Sequence, residues 1–129
     1  MVILDETDDR FYAAPSMLPG ARRGLFARVP LRAGERLVVV GVLVRRDSDA
    51  DRYTAFADEY KFRAGDYLLI PCGVAGMANH SAQPNLEKVI EGDAVFLELL
   101  RDVAADEELC FAYSPYARER YGIRLTPEP

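Results

Sequence analysis

Gly76, Met77, Ala78, Asn79, His80, Ser81, Ala82, Gln83, Pro84 and Asn85 form the stretch on which the reading of this chain turns. It holds the only histidine of the 129 residues, with two asparagines, a serine and a proline, between two apolar runs that read as strands. Side chains of this kind hydrogen-bond their own backbone or a ligand and do not fill a core, so the segment is a built loop. Taken alone, its commoner meaning is an ordinary turn, in which Pro84 fixes one dihedral and Asn85 accepts a left-handed one.

Working outward, residues 67–70 make a strand stopped by Pro71, and residues 86–90 and 94–100 make a hairpin across Glu91, Gly92 and Asp93. Residues 109–111 are a last strand, and 116–121 a single helical turn. Before the loop, residues 37–44 are β-branched and apolar almost throughout, which predicts one strand buried on both faces. Residues 47–60 change character: Tyr53, Phe56, Ala57 and Tyr60 recur at helical intervals behind a capping Ser48, which predicts a short helix with a core-facing aromatic stripe. Further upstream, 11–14 and the glycine-containing run Gly24, Leu25, Phe26, Ala27 are short strands, as residues 2–4 could be. The turn from Leu31 to Leu37 is echoed by the one from Val103 to Leu109, and shared turn chemistry accounts for the likeness as well as a duplication would.

Composition narrows the class. Half of the residues are hydrophobic and 29% charged, which suits one globular domain with a real core. No apolar run nears the roughly 20 residues that span a bilayer, and residues 1–10 are acidic where a signal peptide would be basic, so the expected compartment is the cytoplasm. A net charge of −5 argues against direct nucleic-acid binding. Five arginines crowd residues 22–36 and eight acids crowd 87–108, which reads as two solvated faces or as an acidic rim suited to a basic peptide. Cys72 and Cys110 are too few for a zinc site and read as small buried hydrophobes.

Three pieces now stand in order: the Gly24 strand with its Ala33, Gly34, Glu35 turn; the Asn79, His80, Ser81, Pro84, Asn85 loop; and Glu107, Glu108, Leu109, Cys110, Phe111, Ala112, Tyr113. At this spacing the set resembles the SET domain of protein lysine methyltransferases, over about residues 11–121, in a minimal form like the small bacterial and viral ones. The resemblance implies a mainly β fold with short helices, the β-clip, in which a C-terminal pseudoknot brings the Asn79 loop and Tyr113 together. It implies S-adenosylmethionine as cofactor, held by Arg22, Arg23, Gly24, Leu25, Asn79, the backbone of His80, and Tyr121. Tyr113 takes the place of the catalytic tyrosine, and Tyr67 and Tyr116 stand as candidates for the substrate channel. The implied partner is a protein or peptide presenting a lysine in a basic context.

Departures from the pattern are as definite. Arg22 replaces the first glycine of the Gly, any residue, Gly pattern and would supply a guanidinium to the cofactor carboxylate. Asp106 replaces the usual turn glycine, Ala82 a frequent cysteine, and Ala112 a common aspartate. No cysteine cluster flanks the domain, so the channel must be closed by residues 116–125, by a second subunit in a homodimer, or by the substrate. The competing expectation is a catalytically inactive module of the same fold that binds a basic peptide through its acids. A hydrolase built on Cys72 or Ser81 with His80 lacks an orienting acid and a nucleophile elbow.

Overall fold

Val39 and Val40 divide what reads as one long strand between two sheets. The computed structural model describes Leu4 and residues 8–112, and in it β3 (Arg36–Val38) and β4 (Gly41–Arg45) face different partners. Val39 N–H still donates to Val95 of the first sheet at 2.8 Å, while the Val40 carbonyl accepts from Cys72 beside the second at 2.7 Å. Gly41 then passes so near the Ile70 carbonyl that any Cβ would overlap it. The expectation of a strand buried on both faces is corrected: Leu37, Val39 and Val44 are buried, whereas Val38 and Val42 are exposed, the alternation of half-buried strands.

The larger sheet runs β1 (Phe11–Pro15), β2 (Arg23–Ala27), β10 (Glu108–Phe111), β8 (Leu86–Glu91), β9 (Ala94–Leu99), β3, with β7 (Asn79–His80) also paired to β10. The smaller one runs β4, β6 (Tyr67–Pro71), β5 (Phe62–Ala64). Leu25, Leu86, Leu97, Leu99 and Leu109 are wholly buried between them, each worth roughly 1.5–3 kcal/mol of transfer free energy. Most contacts are antiparallel, but β10 runs parallel to both β7 and β8. Parallel neighbours cannot be joined by a tight turn, so the last strand enters a slot already formed by earlier ones. The strand foreseen at 2–4, apart from Leu4, and the helical turn at 116–121 lie outside the described residues.

The internal echo is one turn used twice. Gly34 (φ 91°) and Asp106 (φ 66°) hold the same left-handed position, the latter being a residue type that tolerates it without glycine. Glu35 accepts from Arg32 N–H at 2.6 Å as Glu107 accepts from Ala104 N–H at 3.1 Å. The two turns face each other across an antiparallel bridge between Leu31 and Val103.

The aromatic stripe at residues 47–60 is not core. Helix α1 covers only Asp49–Tyr53, because the Thr54 hydroxyl folds back onto the Ala50 and Asp51 carbonyls and a 3-10 turn, Ala55–Ala57, follows. The helical period is lost there; Ala57 is buried, while Tyr53 and Phe56 are 81% and 84% exposed. A polar contact anchors the excursion instead. Lys61 Nζ, fully buried, donates to Asp51 Oδ1 at 2.8 Å, to the Asp51 carbonyl at 3.0 Å and to Asp58 Oδ1 at 2.7 Å. Replacing Lys61 by Met strands the buried Asp51 charge and should cost about 3–5 kcal/mol, whereas Arg52→Met, which loses an exposed pair with Asp49, should cost under about 1 kcal/mol. Urea unfolding compares the two; equal costs would refute the anchoring role.

Candidate functional site

Strand β10 changes partner along its length, and the site lies at the change. β2 pairs with Glu108 and Leu109, then β7 takes over at Cys110 and Phe111. The seam between β2 and β7 is closed by Asn79, whose Nδ2 donates to the Arg23 carbonyl at 2.7 Å and lies 3.4 Å from Glu108 Oε2. Both neighbours are acceptors, so the amide nitrogen faces them and Oδ1 is left to accept from a ligand. Gly24 is buried in this seam, where a Cβ would collide with the Glu108 carboxylate and stand 3.4 Å from Asn79 Nδ2.

Glu108 holds the connection between β1 and β2. Its Oε2 accepts from the Ser16 hydroxyl and its Oε1 from the Met17 N–H, each at 2.7 Å. That connection is closed at its base by Ser16 N–H donating to Arg22. Arg22 and Arg23 are exposed at its end, the Arg23 guanidinium reaching the Ala13 carbonyl at 3.2 Å.

The second half of the loop is a clasp on β10. Asn85, 6% exposed, accepts from Cys110 N–H through Oδ1 at 2.8 Å, donates through Nδ2 to the Glu108 carbonyl at 2.9 Å, and donates its own N–H to Cys110 at 3.1 Å. Ser81 N–H donates to Phe111 at 3.1 Å, and the Ser81 hydroxyl accepts from Gln83 N–H. His80 is buried beside Phe111 in register. A residue expected at a left-handed turn is thus a structural pin.

Of the residues singled out in the sequence, Arg23, Gly24 and Asn79 meet directly, and Arg22 and His80 adjoin them. Leu25 is taken up by the core, its side chain wholly buried and its backbone flanked by β1 and β10. Tyr67 stands at the opposite end of β6 from Pro71, a span of about 13 Å at the usual rise, with Arg45 over its ring at 5.2 Å. Tyr113, Tyr116 and Tyr121 lie outside the described residues. Cys110 is buried as expected, but Cys72 is exposed, a correction that follows from its place just past the end of β6.

Two features escaped sequence reading. Glu108 was legible only as part of the final motif, since nothing local signals that Ser16, 92 residues away, is its partner. An apolar cavity of about 140 Å³ is lined by Ala57, Tyr60, Pro71, Gly73, Gly76 and Met77, the last of them two residues before Asn79 in sequence.

Nor are the two charge tracts separate faces. Arg36 pairs with Glu91 and Glu98 across the β3–β9 contact, and Arg101 pairs with Glu107. The Arg101 guanidinium, with the Ala104 N–H and Asn85, holds the Glu107 carboxyl below the usual glutamate range. These acids are committed within the chain. Among the described residues no group of three or more histidine, cysteine or acidic side chains is placed to hold a metal.

Small sheets with an asparagine-centred seam at β10 are the architecture that the resemblance to the SET domain implied. Residues 22–114 match the family model for the SET domain, and the chain belongs to that family. No curated protein matches it in sequence. A solved structure of a candidate histone methyltransferase from Plasmodium falciparum is similar, with a TM-score of 0.61 and 18% identity over 82% of this chain and 94% of that one. A humanized mutant of the Chaetomium thermophilum Polycomb Repressive Complex 2, bound to the inhibitor GSK126, superposes with a TM-score of 0.69 and 20% identity. That match covers 84% of this chain but only 16% of the other.

Asn85→Ala should cost about 2–4 kcal/mol, since it strands the buried Cys110 N–H and the Glu108 carbonyl together, while Gln83→Ala at the exposed tip should be near neutral. Chemical denaturation of both variants checks this, and a tolerated Asn85→Ala would remove the clasp from the account.

Proposed function

We propose that this chain transfers a methyl group from S-adenosylmethionine to the side-chain amine of a lysine in a protein substrate. The observation that carries the reading is the Arg23, Gly24, Asn79, Glu108 seam in a chain of the SET-domain family. Its donor set fits the cofactor. Asn79 Oδ1 can accept from an ammonium or an exocyclic amine, the exposed Arg22 and Arg23 can meet a carboxylate, and Glu108 brings negative charge toward a cationic ligand. Bound there, the cofactor supplies an electrophilic methyl on a sulfonium.

The chain's own task is then alignment and deprotonation of the incoming amine. In-line displacement rewards holding the reacting atoms at near-attack distance. A free lysine with an ordinary pKa of about 10.4 is charged at neutral pH, and a dry channel favours its neutral form by desolvation. Tyr113, just beyond β10, is the residue proposed to orient that amine, with Tyr116 as a further channel candidate. For the substrate, the apolar cavity lined by Tyr60, Pro71 and Met77 is an arrangement suited to a side chain flanking the target lysine.

Calorimetric titration with S-adenosylmethionine should show binding to the wild type and at least about 10-fold weaker binding to Asn79→Ala, as expected for the loss of a hydrogen bond to a charged group. Tritiated methyl should pass from the cofactor to lysine in a basic peptide pool, and Tyr113→Phe should depress that transfer while leaving cofactor affinity intact. A folded wild type that binds no cofactor, or binds it and labels no peptide, would defeat the proposal.

A further inference from the structure

Glu108 differs from the acids around it. Glu91, Glu98 and Glu107 each meet an arginine, whereas Glu108 has no ion-pair partner among the described residues. Three neutral donors satisfy its half-buried carboxylate: the Ser16 hydroxyl, the Met17 N–H and the Asn79 amide. Neutral donors of this sort fill the carboxylate's acceptor positions without adding a counter-charge. Its field therefore reaches whatever occupies the seam, and at the effective dielectric of a partly buried site a unit charge acts over several ångströms.

An acceptor-only group is also what the position demands. All three neighbours are donors, so a glutamine would turn its own N–H toward one of them. Ser16 Oγ further accepts from Leu18 N–H at 3.0 Å, which ties the carboxylate to the fold of residues 16–22. The same side chain thus shapes the wall beside Gly24 and brings a negative charge to it.

We propose that Glu108 is a positioning and specificity-determining residue that makes the seam select a cationic ligand, so that the sulfonium cofactor binds more tightly than the neutral thioether left after methyl transfer. This rests on the reading of the seam as the cofactor site. The chemistry follows from charge alone: S-adenosylmethionine and S-adenosylhomocysteine share every polar group and differ by one methyl and one positive charge. Loss of that charge on transfer would then weaken the product's hold on the site and favour its exchange.

Titration calorimetry with both compounds tests this. The wild type should bind S-adenosylmethionine more tightly, and Glu108→Gln should reduce that preference about 10-fold, mainly through weaker binding of the cation. Ser16→Ala loosens the clamp but keeps the charge, and should weaken both ligands while preserving their ratio. A second measurement needs no variant: raising salt should lower the affinity of the wild type for the sulfonium and leave the thioether nearly unchanged. Equal affinities in the wild type, or a Glu108→Gln variant that loses both ligands equally, would overturn the proposal. A wild type that binds neither compound would instead refute the cofactor site itself.

Discussion

The parallel entry of β10 between β2, β7 and β8 is the constraint on which the rest depends. A short parallel strand contributes little by itself, and this one has single-residue register with β8. Asn85 makes up the difference by serving both an N–H and a carbonyl of β10 with one buried side chain. Because the loop that carries Asn85 also carries Asn79, the clasp and the candidate ligand site are two ends of one segment. The seam is therefore complete only when the last strand is in place.

Charge within the chain is arranged to the same end. The arginine-rich and acid-rich tracts meet across β3 and β9 at Arg36, and a buried lysine fastens the excursion at residues 47–61. At the seam Glu108 has no ion-pair partner among the described residues, with Arg22 and Arg23 exposed beside it. Tyr53, Phe56 and Tyr60 are exposed close together in sequence, and Tyr60 also lines the apolar cavity.

Much of this was legible in the sequence, and the failures have physical causes. Hairpins such as 86–99 were readable because their turn and alternation are local. The Asn79 loop was readable because so many backbone-bonding side chains crowd one segment. Residues 37–44 misled because apolar composition does not report a change of sheet at Val39 and Val40. The aromatic stripe misled because its spacing implied a helix that Thr54 ends after one turn and a half, and because Lys61 supplies the anchor that aromatic burial was expected to provide. Partnerships across long separations, Ser16 with Glu108 above all, leave no mark in sequence. The residue expected to do the chemistry, Tyr113, follows the last described strand, so its role rests on the family pattern.

The central claim is that a ligand is held at the seam where β10 passes from β2 to β7. The most direct measurement is a titration of uniformly 15N-labelled protein with S-adenosylmethionine, followed by amide chemical shifts. The account predicts saturable shifts at Ser16, Met17, Gly24, Asn79 and His80, with little change at Tyr67 or at the Arg36–Glu98 contact. Shifts centred on the cavity at Tyr60 and Met77 with the seam silent, or no saturable shifts in a folded sample, would contradict it.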